Sequence, residues 1–133
     1  MAQSQSMPRS QQTLKKDETV NLIASGKVNG TKIYNRRHEH VGEVEDIMID
    51  KISGHVAYAV VAFGGFLGLG ETRRAVSWSV LHYDVNDDGY VADVDDSVLK
   101  DAPNEMPVDD SYARDVDWNT RVYSHFGVPP YWI

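Results

Sequence analysis

HVAYAVVAFGGFLGLGETRRAVSW, residues 55–78, is the stretch whose reading decides the fold. From Val56 to Phe63 both alternating sets are apolar: Val56, Tyr58, Val60 and Ala62 fall on one face of an extended strand, Ala57, Ala59, Val61 and Phe63 on the other. A half-buried strand alternates apolar with polar residues, so this one is expected to be covered on both faces. Counting Gly54, the stretch holds five of the ten glycines. They permit a wide turn from which Phe66, Leu67 and Leu69 project, after which Arg74, Val76 and Trp78 share one face of a further strand.

Working outward, residues 41–50 form the preceding strand, but their apolar positions change phase, because Val44 is followed by Ile47 at an offset of three. A bulge near Glu45 and Asp46 reconciles the two halves and bends the strand, as a small barrel requires. Residues 50–54 turn this strand into the central one as an antiparallel hairpin. Upstream, Leu22-Ile23-Ala24 and residues 27–34, with Asn29-Gly30 suited to a tight turn, read as the first strand pieces. Downstream, residues 80–85 and 90–94 flank Asn86-Asp87-Asp88-Gly89, a hairpin signal. Short strands joined by tight turns predict a mainly β fold, a small barrel of about five to six antiparallel strands.

The last forty residues change character. Residues 95–100 suit one or two helical turns stopped by Pro103, and Asp115 or Asp117 is placed to cap a helix carrying Trp118, Val122 and Phe126 at i, i+4, i+8. Gly127 and Pro129-Pro130 end it. The closing Tyr131-Trp132-Ile133 is expected to fold back on the barrel or to dock on a second subunit. The division is therefore a disordered polar tail over 1–19, the barrel over 20–95 and a helical extension packed on it over 96–133.

The chain has 133 residues, 41% hydrophobic and 25% charged, the make-up of a single globular domain. It has no cysteine, which excludes disulfides, thiolate metal sites and thiol catalysis. There is no signal-peptide core in the first twenty residues and no apolar run of the roughly 18 residues a spanning helix needs, so the expectation is a cytoplasmic protein without membrane insertion. The net charge of −7 is unevenly placed: residues 84–117 hold twelve carboxylates against Lys100 and Arg114, while the rest of the chain has eleven basic residues against eight acidic ones. An acidic half argues against a nucleic-acid backbone as partner, where cations must replace released counterions.

Four motifs approach known chemistry and fall short. Gly65 and Gly70 have the spacing of a phosphate loop, but Glu71 stands where its lysine belongs and would repel phosphate. Asp84, Asn86, Asp88 and Asp95 match much of a calcium loop, yet the twelfth position lacks the bidentate glutamate and the flanks read as strand, so a solvated turn is preferred and a cation site is the alternative. Glu43 and Glu45, two apart on a strand, have a spacing compatible with paired-carboxylate hydrolysis but no cleft around them. His38-x-His40 is a lone pair in a charged turn. No nucleophile, base and orienting group fall together, so no enzyme is expected and no cofactor is assigned.

The run Val41-Gly42-Glu43-Val44-Glu45-Asp46-Ile47-Met48-Ile49-Asp50, then Tyr58-Ala59-Val60-Val61, the Gly-Gly-Phe-Leu-Gly-Leu-Gly segment and Ala75-Val76-Ser77-Trp78 resemble the PRC-barrel family. The family is named for the cytoplasmic domain of the photosynthetic reaction centre H subunit, and a related barrel ends a ribosome maturation factor. The resemblance, which is to a stand-alone bacterial member, implies a small β-barrel used as a protein-interaction module. Two positions depart from the pattern: Ser77 stands where proline usually precedes the tryptophan, and Arg37-His38 replaces the usual Asp-Gly of the preceding turn. The function expected is a non-catalytic module, a homodimer that also binds a protein partner, with Tyr58, Val60, Phe63, Phe66, Leu67, Leu69 and Trp78 as its interaction surface. The alternative is a cation or small-ligand binding domain using the acidic hairpin from Asp84 to Asp95.

Overall fold

A computed structural model describes residues 18–19, 21–64, 71–104 and 112–130. The two-sided apolar run is strand β3 (Val56–Gly64), flanked by β2 (His40–Ile49) and β4 (Glu71–Ser77), both antiparallel to it. A one-turn helix, α1 (Ser25–Val28), leads through Gly30, at φ +88, into the short β1 (Lys32–Tyr34). A 3-10 turn (Trp78–Val80) leads into β5 (Leu81–Asp84) and β6 (Gly89–Ala92). Leu22-Ile23-Ala24 forms no strand: Ile23 makes only an isolated bridge to Glu18.

The six strands lie in one curled sheet in the order β4-β3-β2-β1-β6-β5. Neighbours are antiparallel except β1 and β6, which run parallel with Ile33 opposite Tyr90. The sheet is therefore mixed rather than wholly antiparallel, because the β5–β6 hairpin returns to the free side of β1 instead of continuing from β4. The expected bulge is present: Val44 faces Val61 and Asp46 faces Val60, with Glu45 the extra residue. That insertion keeps both Val44 and Ile47 toward the concave side and turns Asp46 outward. A second register shift follows between Met48 and Ile49.

Cross-strand partners share a face, which divides the sheet clearly. Val44, Val61, Phe63, Ile33 and Val76 fill the concave side and are essentially inaccessible. On the convex side Tyr58, Val60, Ala75 and Ser77 are also buried. Their cover is α3 (Tyr112–Phe126), whose Trp118, Val122 and Phe126 join the core as the i, i+4, i+8 stripe requires. Trp118 meets the Tyr58 ring edge-on at 6.3 Å, and the Tyr123 hydroxyl donates to the Ala57 carbonyl at 2.8 Å. The helix begins at Tyr112, so Asp115 and Asp117 lie within it and neither is its cap. It ends at Gly127, φ +68, with Gly127 N–H donating to Ser124 and Val128 N–H to Tyr123, the paired bonds of a Schellman close. A shorter helix, α2 (Asp96–Lys100), is tied to α3 where a His125 ring nitrogen meets the Val98 carbonyl at 2.8 Å.

The outer edge of β4 is also covered. Ala75 N–H donates to the Pro103 carbonyl at 2.8 Å and the Arg74 guanidinium donates to the Ala102 carbonyl at 2.8 Å, so the chain after α2 occupies part of an edge that would otherwise offer unpaired groups. Ser77 is fully buried, its hydroxyl 2.9 Å from that of Ser79, and its φ of −55 is one that a proline ring accepts. Serine at this position has thus kept the backbone course that the resemblance implies.

Candidate functional site

The surface expected around β3 divides into core and undescribed residues. Tyr58, Val60 and Phe63 are 4%, 9% and 0% exposed within the single chain, so they are core side chains and the expectation that they form a free interaction surface is corrected. The physical reason is α3: of the two covers the sequence allows for this face, the C-terminal helix or a second subunit, the helix supplies cover in cis over Tyr58. Trp78 is partly buried, its ring 5.2 Å from Tyr90. Phe66, Leu67 and Leu69, with Gly65 and Gly70, lie outside the described residues, as do Tyr131, Trp132 and Ile133. Three of the exposed large apolar side chains sit on the β2–β3 hairpin, where Met48 is 40% exposed, Ile49 47% and Ile52, at the tip, 96%; Tyr83 and Val85 are exposed on the β5–β6 hairpin and Leu22 ahead of α1. Beside Met48, Val60 forms the floor of a groove of about 560 Å³ between Asp46 and Arg73.

The carboxylates of the calcium-loop alternative do not gather. Asp84 Oδ1 accepts the backbone N–H groups of Asn86 at 2.8 Å and Asp87 at 3.1 Å, the Tyr83 hydroxyl donates to Asp88 at 2.5 Å, and Asp95 accepts from Arg36 at 2.7 Å. The set Asp84, Asn86, Asp88 and Asp95 is thereby divided among three structural tasks, and that cation site is withdrawn. The Asp88 carboxylate holds the Tyr83 phenol protonated, pushing its pKa up to about 12. Glu45 pairs with Arg73 rather than with Glu43, because the bulge takes it out of the strand's alternation. His40 contacts the Gly42 carbonyl at 3.1 Å while His38 turns elsewhere, so the His38-x-His40 pair does not converge.

A different polar cluster forms on the turn joining β1 to β2. Asn35, fully buried, organises it: its side-chain oxygen accepts the N–H groups of Arg37 and Glu39, both at 3.0 Å, and its amide donates to Glu39 at 2.7 Å. Without Asn35 those two turn amides would lose their acceptor. The turn presents the Arg36 and Arg37 guanidinium groups and the His38 imidazole to the acidic strand end. Arg36 bridges Asp93 at 3.1 Å and Asp95 at 2.7 Å, and Arg37 joins Glu39 at 2.8 Å to Asp96 at 2.6 Å. Hydrogen bonds from Asn35 and Arg37 hold the Glu39 carboxyl below its usual range.

His38 completes the turn at φ +62, a left-handed conformation open to few residues other than glycine. Its Nδ1 lies 2.5 Å from Asp87 Oδ2 and 3.9 Å from Asp84 Oδ2. The hydrogen bond to Asp87 raises the imidazole pKa. Since the folded value exceeds the unfolded one, this contribution is full below the ordinary histidine pKa and is lost as pH rises through the raised value. In chelator-containing buffer the melting temperature is expected to fall across that window. His38→Asn is expected to flatten the dependence, and an unchanged slope would show that His38 does not carry it.

Asn35 and the arginine pairs were not anticipated from sequence. An asparagine followed by two polar residues is an Asx-turn signal, but the partners Asp93, Asp95 and Asp96 are distant in the chain and are found only when β6 docks beside β1.

A family model for the PRC-barrel domain matches residues 21–99. The chain belongs to the PRC-barrel family. No curated protein matches it significantly. The matched span of this PRC-barrel takes in all six strands, whereas α3 lies beyond it. The cover on the convex face of β3 therefore comes from outside the matched barrel. No helix among the described residues is long and apolar enough to cross a membrane.

Proposed function

We propose that this PRC-barrel is a non-catalytic interaction module that works in the cytoplasm as a homodimer and captures a protein partner through the convex side of the β2–β3 hairpin. The observation that carries the reading is the exposure of Met48, Ile49 and Ile52 on one hairpin of a fold whose β3 is otherwise sealed on both faces. Exposed apolar side chains gathered on one element favour association over solvation. Their setting supports a specific contact, because the groove floored by Val60 is rimmed by the anionic Asp46 and the Arg73–Glu45 ion pair. The charged clusters favour a structural role: Arg36, Arg37 and Arg73 are each paired with carboxylates of the same chain.

Light scattering at micromolar concentration is expected to give the mass of a dimer. The double variant Ile49→Asp/Ile52→Asp is expected to be monomeric while its stability changes by no more than about 0.5 kcal/mol, since neither side chain is part of the core. A monomeric wild type would refute the dimer, and a variant that remains dimeric would move the contact away from this hairpin. Phe66→Asp tests the glycine-rich loop in the same assay.

A further inference from the structure

Asp84 and Asp87 stand apart from the other carboxylates of the acidic segment. Asp93, Asp95 and Asp96 are each paired with an arginine of the β1–β2 turn. Among the described residues, neither Asp84 nor Asp87 pairs with a lysine or arginine; both face the His38 imidazole. Three donor atoms, one imidazole nitrogen and two carboxylate oxygens, all lie within 4.8 Å of one another. They come from two turns brought together by the tertiary structure, and the carboxylates are partly shielded, with side chains 27% and 25% exposed.

We propose that His38 Nδ1, Asp84 Oδ2 and Asp87 Oδ2 form a binding site for a divalent transition metal of the zinc class. The donor set decides the class. Calcium requires six to eight oxygen ligands, which this cluster does not supply, whereas one imidazole with two carboxylates and open positions for water suits zinc, cobalt or nickel. The geometry is close to what such an ion needs. Metal–ligand distances near 2.1 Å in a tetrahedron place donor atoms about 3.4 Å apart. From the present separations of 2.5 Å and 3.9 Å, Asp87 would withdraw by about 0.9 Å and Asp84 approach by about 0.5 Å.

The donors are also held from behind. Asp84 Oδ1 is fixed by the two turn amides, which leaves Oδ2 for the metal, and His38 is anchored by its own N–H bond to the Asn35 carbonyl at 2.9 Å. Such outer bonds orient metal ligands. A proton and a metal ion compete for the same imidazole nitrogen, so binding strengthens as pH rises and protons are released on binding.

The test is calorimetric titration of the full chain with zinc chloride in a non-coordinating buffer, with cobalt absorption as a second readout and calcium chloride as the control. His38→Asn keeps a residue that tolerates the left-handed turn, and Asp84→Asn keeps the oxygen that accepts the turn amides. Circular dichroism and melting temperature establish that each variant is folded. Wild type is expected to bind one zinc ion saturably, with calcium giving no heat. Each variant is expected to weaken zinc by at least about tenfold. Absence of saturable zinc binding up to millimolar concentration overturns the proposal. So does zinc binding that both folded variants retain, and so does calcium binding as strong as zinc's.

Discussion

Trp118→Ala is expected to lower the unfolding free energy by about 3–5 kcal/mol, the range for truncating a large buried aromatic. Trp118 is 7% exposed, meets Tyr58 edge-on at 6.3 Å and carries the Arg121 guanidinium 5.6 Å from its ring centre. Its removal weakens the attachment of α3 just where the helix covers the convex face of β3. Two readouts follow: the urea midpoint falls, and Tyr58 becomes accessible, so the variant binds a hydrophobic dye and self-associates. A stability loss under about 1 kcal/mol would mean that α3 is not what seals this face. The outcome bears directly on function, because the part of this face around Tyr58 that α3 covers is not available to a partner, whereas the groove at Val60 and Met48 is open.

Gly42→Ala is expected to cost about 3 kcal/mol, at the upper end of the range for overpacking. The reason is backbone rather than conformation. A Cβ on Gly42 would lie 2.5 Å from the Ala62 carbonyl oxygen, with Phe63 Cδ1 at 3.0 Å and Val61 Cγ1 at 3.2 Å, so β2 and β3 would have to separate at the point where Gly42 pairs with Phe63. Gly26→Ala is the control. No atom lies within 4 Å of the added Cβ and the position is helical, so this variant is expected to be neutral or to stabilise by about 0.5–1 kcal/mol. Equal melting temperatures for Gly42→Ala and wild type would show that the two strands can part without loss.

Gly89 follows the same logic and illustrates the limit of reading turns from sequence. Asp88-Gly89 was legible as a hairpin signal, and the hairpin is there. Yet the left-handed residue is Asp88, at φ +53, and Gly89 is needed because a Cβ there would come 2.5 Å from the Lys32 carbonyl of β1. The local signal was read correctly while the constraint behind the glycine is a neighbouring strand. The start of α3 differs from the sequence expectation for a related reason. Asp115 and Asp117 are good caps, but with neither glycine nor proline between Tyr112 and Phe126 the helix extends back past them, since each added residue adds a hydrogen bond.

The interaction surface was the less legible part. Two apolar faces on β3 are apparent in the sequence, but whether the second is buried by the same chain or by another is a question of where α3 docks. The sequence places Tyr58 on that face without showing that α3 closes over it, and no local pattern marks Met48, Ile49 and Ile52 as exposed. The metal-class cluster was hidden in the same way. His38 and Asp87 are 49 residues apart, and of the nearer calcium-like set the fold commits Asp88 to Tyr83 and Asp95 to Arg36.

The sequence by itself determined the strands from β2 onward, the bulge at Glu45, the hairpins at 50–54 and 85–88, the apolar stripe of α3 and the family, because each is written in local spacing and turn chemistry. Only the tertiary structure decided that β6 lies parallel to β1, that α3 seals the convex face of β3, and that His38 meets Asp84 and Asp87. These are contacts between residues far apart in the chain, and which distant surfaces come together depends on packing the whole core at once rather than on any local pattern.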